Sequence, residues 1–185
     1  NLLTAFSCLY SAGFHVSELV NSLSSLSSVV GRMEVFANDK SPSVVVDYAH
    51  TPDALKQALQ ALKLHCSGQL WVVFGCGGDR DNQKRPLMAA IAEEYADKIV
   101  FTQDNSRSES PSTIFSQMLS GVKNPDAIVV DYERTNAVKY AIEQANVNDI
   151  VLLAGKGHEN YQILQSGRIN YDERALAQNI VSNLQ

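Results

Sequence analysis

Residues 98–107, Lys98-Ile99-Val100-Phe101-Thr102-Gln103-Asp104-Asn105-Ser106-Arg107, pass from an apolar run to a polar cluster within a few positions. The β-branched and aromatic residues of 98–102 predict a strand. An anion, an amide, a hydroxyl and a guanidinium then follow in Asp104, Asn105, Ser106 and Arg107. In an open α/β sheet, ligands lie in the crevice outside the carboxyl ends of the strands, so this position suits a ligand carrying both charges.

Working outward, short β-rich runs recur at 33–37, 43–46, 70–74, 127–130 and 150–153, and helical periodicity fills the intervals at 52–64, 83–95, 111–119, 134–145 and 173–184. Pro52, Pro86 and Pro111 fall near first turns, where a helix tolerates proline best. Nearly continuous Val/Ile/Leu strands alternating with helices predict an α/β fold, a mostly parallel sheet of about six strands with helices on both faces. Upstream, Leu2, Leu3, Phe6, Leu9 and Tyr10, then Leu19, Val20, Leu23 and Leu26, keep helical spacing and predict two short helices ending near Val30. The Ser-rich segment 22–28 reads as a helix and turn in preference to a flexible linker, because its leucines keep the period. A boundary is expected at Gly31-Arg32-Met33-Glu34, giving parts 1–32 and 33–185.

The 185 residues are 45% hydrophobic and 19% charged, the composition of an ordinary globular protein that needs no staples. Cys8, Cys66 and Cys76 are odd in number and far apart, which argues against a disulfide framework or a zinc site and for a reducing compartment; no metal ligands are assigned. A net charge of -5 with no basic stripe excludes a nucleic-acid footprint, and no apolar run is long enough for a membrane span. The amino terminus carries neither a secretory nor a transit pattern and is expected to continue a longer chain.

Chemistry collects after the predicted strands. Asp47-Tyr48-Ala49-His50-Thr51-Pro52, Gly75-Cys76-Gly77-Gly78-Asp79-Arg80-Asp81 with Lys84-Arg85-Pro86, Asp104 to Arg107, and Gly155-Lys156-Gly157-His158-Glu159 would share one edge of the sheet. Gly75, Gly77 and Gly78 either let backbone N–H groups approach an anion or solve a steric problem at a strand-to-helix turn. Arg80 favours the first, since a guanidinium can fork onto a carboxylate. Gly155-Lys156-Gly157 lacks the GxxxxGK[ST] spacing of a P-loop, which occurs nowhere in the chain. His50 and His158 are site candidates or helix-entry residues. Glu159 is a first-turn acid or a carboxylate for a substrate ammonium. Asp104 and Asn105 are turn formers or ligand contacts, and Arg107 contacts ligand or pairs with a nearby acid such as Glu109. No Cys/His/Asp order supports Cys76 as a nucleophile.

Taken together and in order, Asn1-Leu2-Leu3, Gly31-Arg32-Met33-Glu34 and these four loops resemble the Mur ligases, within them the type that uses meso-diaminopimelate. The resemblance covers nearly the whole chain. It implies a cytoplasmic, monomeric three-domain ligase, with a UDP-binding first domain, a central P-loop ATPase and a carboxyl-terminal Rossmann-like domain that delivers the amino acid. Residues 1–32 would then be the short helical end of the central domain and 33–185 the carboxyl-terminal domain. The implied reaction adds meso-diaminopimelate to UDP-MurNAc-L-Ala-D-Glu in peptidoglycan precursor synthesis through an acyl phosphate, using ATP and Mg2+ held mainly by the central domain. Carried over residue by residue, Asn1, Arg32, Asp47 and His50 match nucleotide-binding positions, with Arg32 and Asp47 catalytic. Arg80, Asp104, Asn105, Ser106, Arg107, Gly155 and Glu159 match the meso-diaminopimelate site. Ser106 departs from the proline usual at its place, and Tyr171-Asp172-Glu173-Arg174 only approximates the family's Asp-Arg ending. The competing expectations are a free-standing ligand-binding module and a related folylpolyglutamate-type ligase.

Overall fold

The computed structural model describes residues 2–26 and 28–184. Two short helices, α1 (Leu2–Ser11) and α2 (Val16–Leu23), lead into an edge strand β1 (Glu34–Phe36). There follow β2 (Ser43–Asp47), α3 (Pro52–Lys63), β3 (Leu70–Phe74), α4 (Lys84–Tyr95), β4 (Lys98–Thr102), α5 (Pro111–Leu119), β5 (Val129–Asp131), α6 (Arg134–Gln144) and β6 (Ile150–Ala154). A hairpin of β7 (Tyr161–Leu164) and β8 (Gly167–Asn170) precedes the last helix, α7 (Glu173–Asn183).

The main sheet has the order β1-β2-β6-β3-β4-β5, parallel throughout except for antiparallel β1. Strand period places alternate residues on opposite layers. Val45, Leu70, Val72, Phe74, Phe101 and Leu152 pack under α3, α4 and α5 with Leu59, Met88 and Phe115. Val44, Val46, Val73, Val100, Val151 and Leu153 pack under α6 and α7 with Val138, Ile142 and Val181. The expected two-faced α/β sheet is therefore observed.

Local chemistry sets the helix starts on the site side. Thr51 Oγ1 accepts from the Ala54 amide (3.3 Å) with Pro52 at the first turn, and Asp172 Oδ1 accepts from the Ala175 amide (3.0 Å). These are side-chain caps for amides that an α-helix leaves unpaired.

Three expectations need correction. The strand expected at 127–130 is displaced to Val129–Asp131, because Pro125–Ala127 form a 3-10 turn and proline cannot donate to a ladder. The hairpin β7/β8 was not anticipated, although Leu164-Gln165-Ser166-Gly167 between alternating residues is a turn signal, and Gly167 takes φ +115°. The second upstream helix, expected to end near Val30, ends at Leu23; the segment 22–28 opens as a helix end and a turn at Ser24-Ser25, as read, and Ser27 lies outside the described residues. Among the described residues no helix is long and apolar enough to cross a membrane.

Candidate functional site

Because β2, β3, β4 and β6 run parallel, their following loops meet at one edge. There they enclose an open cavity of about 350 Å³. Its wall includes His50, Arg80, Asp104, Asn105, Arg107, Gly155 and Glu159, all expected from the sequence, together with Tyr48, Cys76, Lys84 and Tyr161.

Two acidic residues line this cavity. Asp104 is buried, its Oδ1 accepts the Asn105 amide at 2.6 Å, and Lys156 Nζ lies 2.9 Å away. Burial by itself would raise the Asp104 carboxyl, but the Lys156 and Arg134 charges and its hydrogen bonds hold it below the ordinary value. Glu159 Oε2 accepts from Asn105 Nδ2 (3.1 Å) and from Lys156 Nζ (3.4 Å). Gly155 adopts φ +112°, and a Cβ there would lie 2.9 Å from Asp104 Oδ2, so only glycine passes beside this carboxylate.

Two arginines line it as well. Arg107, at φ +52°, anchors Nη1 on the carbonyls of Gly78 (2.8 Å) and Asn105 (3.1 Å). Its partner is thus not Glu109, which instead holds the buried Arg85 through both carboxylate oxygens at 2.8 Å. Arg80 is exposed, and among the described residues its side chain donates only to the Asp79 carbonyl (3.1 Å). A Cβ on Gly77 would sit 3.0 Å from Arg107 Nη1 and 3.8 Å from Arg80 Cγ, so this glycine keeps open the space between the arginines.

Gly75 and Gly78 have the steric role. A Cβ would lie 2.0 Å from the Thr102 carbonyl oxygen at Gly75 and 1.9 Å from the Ser106 carbonyl oxygen at Gly78. Their glycines let the loop after β3 lie against the loop after β4.

Ser106, Asp47 and Arg32 do not line the cavity. Ser106 is buried near Thr102, and neither Ser106 Oγ nor Thr102 Oγ1 has a hydrogen-bond partner among the described residues. Asp47 accepts the Met33 amide on Oδ2 and the Ala49 amide on Oδ1, both at 2.9 Å, which ties the 31–34 junction to the end of β2. Arg32 is exposed and stacks over the Tyr48 ring (4.6 Å), beside His50 and His158 at 4.6 and 5.2 Å from the same ring. His50 Nδ1 lies 2.8 Å from the Tyr48 carbonyl. Asn1 lies outside the described residues. Burial pushes the Cys76 thiol up to about 12, against any nucleophilic role.

Sequence reasoning assigned no role to Lys156, whose side chain is fully buried behind Asp104 and Glu159. The only available signal was its place between two glycines in a loop rich in polar groups.

A model of the Mur ligase glutamate ligase domain matches residues 31–157. The chain belongs to the Mur ligase family. Among curated relatives, the UDP-N-acetylmuramoyl-L-alanyl-D-glutamate--2,6-diaminopimelate ligase of Vibrio cholerae is 50% identical over 181 residues, and that of Vibrio parahaemolyticus is 52% identical. Each match takes in 98% of this chain and 37% of the relative, in its carboxyl-terminal part. The chain therefore spans little more than a third of the length of these relatives.

A solved structure of a ligase with that same printed name is 43% identical, with TM-score 0.79, covering 97% of this chain and 37% of the other. The UDP-N-acetylmuramate-alanine ligase of Thermotoga maritima (20% identity, TM-score 0.67, 98% and 36% covered) shares the fold. So does the bifunctional folylpolyglutamate synthase/dihydrofolate synthase of Yersinia pestis, at 20% identity and TM-score 0.65, with 84% and 35% covered.

Proposed function

We propose that this chain is the amino-acid-delivering part of an ATP-dependent ligase that joins meso-diaminopimelate to UDP-MurNAc-L-Ala-D-Glu. The observation that carries the reading is a single cavity whose wall brings together two acidic residues, Asp104 and Glu159, and two arginines, Arg80 and Arg107. Meso-diaminopimelate has two carboxylates and two ammonium groups, so it needs guanidinium forks and carboxylates in one site. The names of the 50%-identical relatives support the same substrate. A folylpolyglutamate-type ligase is not favoured, since those neighbours are only about a fifth identical.

In this reading, residues 1–32 end a preceding ATPase domain. Helix α1 buries no residue and α2 buries only Leu19, while Leu2, Leu3, Tyr10 and Phe14 stay exposed. Arg32, beside Tyr48 and His50, faces the nucleotide and steadies phosphoryl charge as the acceptor carboxylate is activated by ATP. Asp47 fixes the backbone that presents Arg32. Magnesium, in the same reading, is held mainly by the central domain of the full ligase. Delivery of an oriented amine to an acyl phosphate is a proximity effect, worth ~7 to 11 kcal/mol in ideal cases. The isolated chain is expected to bind the diamino acid weakly and to ligate nothing.

Calorimetry of wild type and Arg107→Ala with meso-diaminopimelate, lysine and glutamate tests the assignment. Wild type should prefer meso-diaminopimelate, because lysine leaves the Arg107 fork without its carboxylate, at a cost of ~1 to 3 kcal/mol. The variant should lose that preference. Equal affinity of wild type for lysine and diaminopimelate would refute the specificity.

A further inference from the structure

Lys156 does not line the cavity, yet all its polar partners do. Its fully buried Nζ lies 2.8 Å from Asn105 Oδ1, 2.9 Å from Asp104 Oδ1, 3.0 Å from the Tyr161 carbonyl oxygen and 3.4 Å from Glu159 Oε2. Two consequences follow from donor and acceptor bookkeeping.

The first concerns Asn105. Its Oδ1 receives Lys156 Nζ and also the Ile163 amide (2.9 Å), two groups that can only donate. Rotating the amide would set a nitrogen against both donors, so its orientation is fixed by the network. Nδ2 therefore faces the other way, with one hydrogen on Glu159 and one left for an acceptor. The second concerns charge. Asp104 and Glu159 carry two negative charges against one positive on Lys156, leaving a single net negative charge for a single ammonium.

We propose that Lys156 is a positioning residue that sets amino-acid specificity from behind the cavity, presenting Asn105 as a donor to the distal carboxylate and leaving one uncompensated acid for one ammonium. This rests on the reading of the cavity as the diamino-acid site. It also explains why a residue that no substrate reaches is a lysine in a fully buried place, where an unpaired cation would be costly.

The test is the ratio of the dissociation constants of lysine and meso-diaminopimelate, taken by NMR titration of the full chain. In wild type the ratio should favour diaminopimelate. In Lys156→Met, Asn105 Oδ1 loses its charged anchor and keeps only the Ile163 amide, and a second negative charge is uncovered, so the ratio should fall about tenfold or more toward lysine, the size of one lost charge-assisted contact. A general loosening of the fold would weaken both ligands alike and leave the ratio unchanged, and that result in a folded variant overturns the proposal.

Should Lys156→Met fail to fold, Asn105→Asp decides. It keeps the oxygen on Lys156 and Ile163 but replaces the outward donor with an acceptor. It should prefer lysine; an unchanged ratio there also overturns the proposal. Wild type that binds no diaminopimelate at all would instead sink the cavity reading, and the proposal with it.

Discussion

Glu173, at the start of α7, holds Arg134, at the start of α6, through both carboxylate oxygens, with Oε1 2.6 Å from Nε and Oε2 3.1 Å from Nη2. Neither side chain reaches solvent. The same guanidinium donates to the carbonyls of Ala154 (2.9 Å) and Gln103 (3.3 Å), the residues immediately before Gly155 and Asp104. One buried pair thus fixes where two of the site loops begin. Glu173→Gln leaves the cation buried without its counter-charge, and ~3 to 5 kcal/mol of stability should be lost. Urea unfolding measures this, and a loss below about 1 kcal/mol would show that Arg134 is held by the carbonyls alone.

The contrast with the site residues shows what a sequence can reveal. The sheet was legible because Val72, Val100 and Leu152 belong to runs buried on both faces, a pattern few other folds produce. Arg80, Asp104, Arg107 and Glu159 were legible because polar groups after successive parallel strands must converge. Lys156, Arg134 and Arg85 were not, since a buried cation looks like a surface one until its partner is known, and those partners lie at Asp104, Glu173 and Glu109. The reverse held for Ser106, whose neighbours in sequence line the cavity while it does not.

The glycines of the loop after β3 should separate by function. Gly78→Ala drives a Cβ to 1.9 Å from the Ser106 backbone oxygen, which cannot yield without moving the loop. A stability loss of about 1 to 3 kcal/mol or more is expected whether or not ligand is present. Gly77→Ala approaches closely only the tip of Arg107 at 3.0 Å, a flexible group, and meets the Asn105 carbonyl oxygen and Arg80 Cγ at ordinary contact distances of 3.7 and 3.8 Å. It should melt close to wild type but bind diaminopimelate more weakly. Thermal unfolding and ligand titration of the pair check this, and equal melting temperatures would remove the distinction.

Acid should unfold the protein through its buried carboxylates. Burial alone would raise Asp149, but the amides of Gln69 (2.7 Å) and Asn146 (2.8 Å), with the Trp71 indole (3.2 Å), hold it below its ordinary value. Asp104 is likewise depressed, against its burial, by Lys156 and Arg134. A folded-state value below the unfolded one means that the stabilisation is present above the ordinary carboxylate range and lost as pH falls through the depressed values. The urea midpoint should therefore be flat from neutral pH to about 5 and fall below about 4. Asp149→Asn should lower stability at neutral pH and flatten part of the acid limb. An acid limb identical to wild type would show that Asp149 contributes none of it.

Ser106→Pro should stabilise the protein without altering the cavity. Ser106 is not among the residues with positive φ, no hydrogen bond of its amide is present among the described residues, and its Oγ is buried without a partner. Proline would thus remove no native donor contact, would relieve an unsatisfied hydroxyl, and would restrict the unfolded chain, an effect of ~0.4 to 1 kcal/mol. At about 2 to 4 °C per kcal/mol for a chain of this size, the melting temperature should rise by roughly 1 to 4 °C. Because Ser106 is off the cavity wall, affinity for diaminopimelate should stay the same. A lower melting temperature would mean that the serine backbone sits outside the range proline allows; a changed affinity would mean that the 104–107 loop carries more freedom in the native state than its contacts to Gly78 and Ile163 indicate.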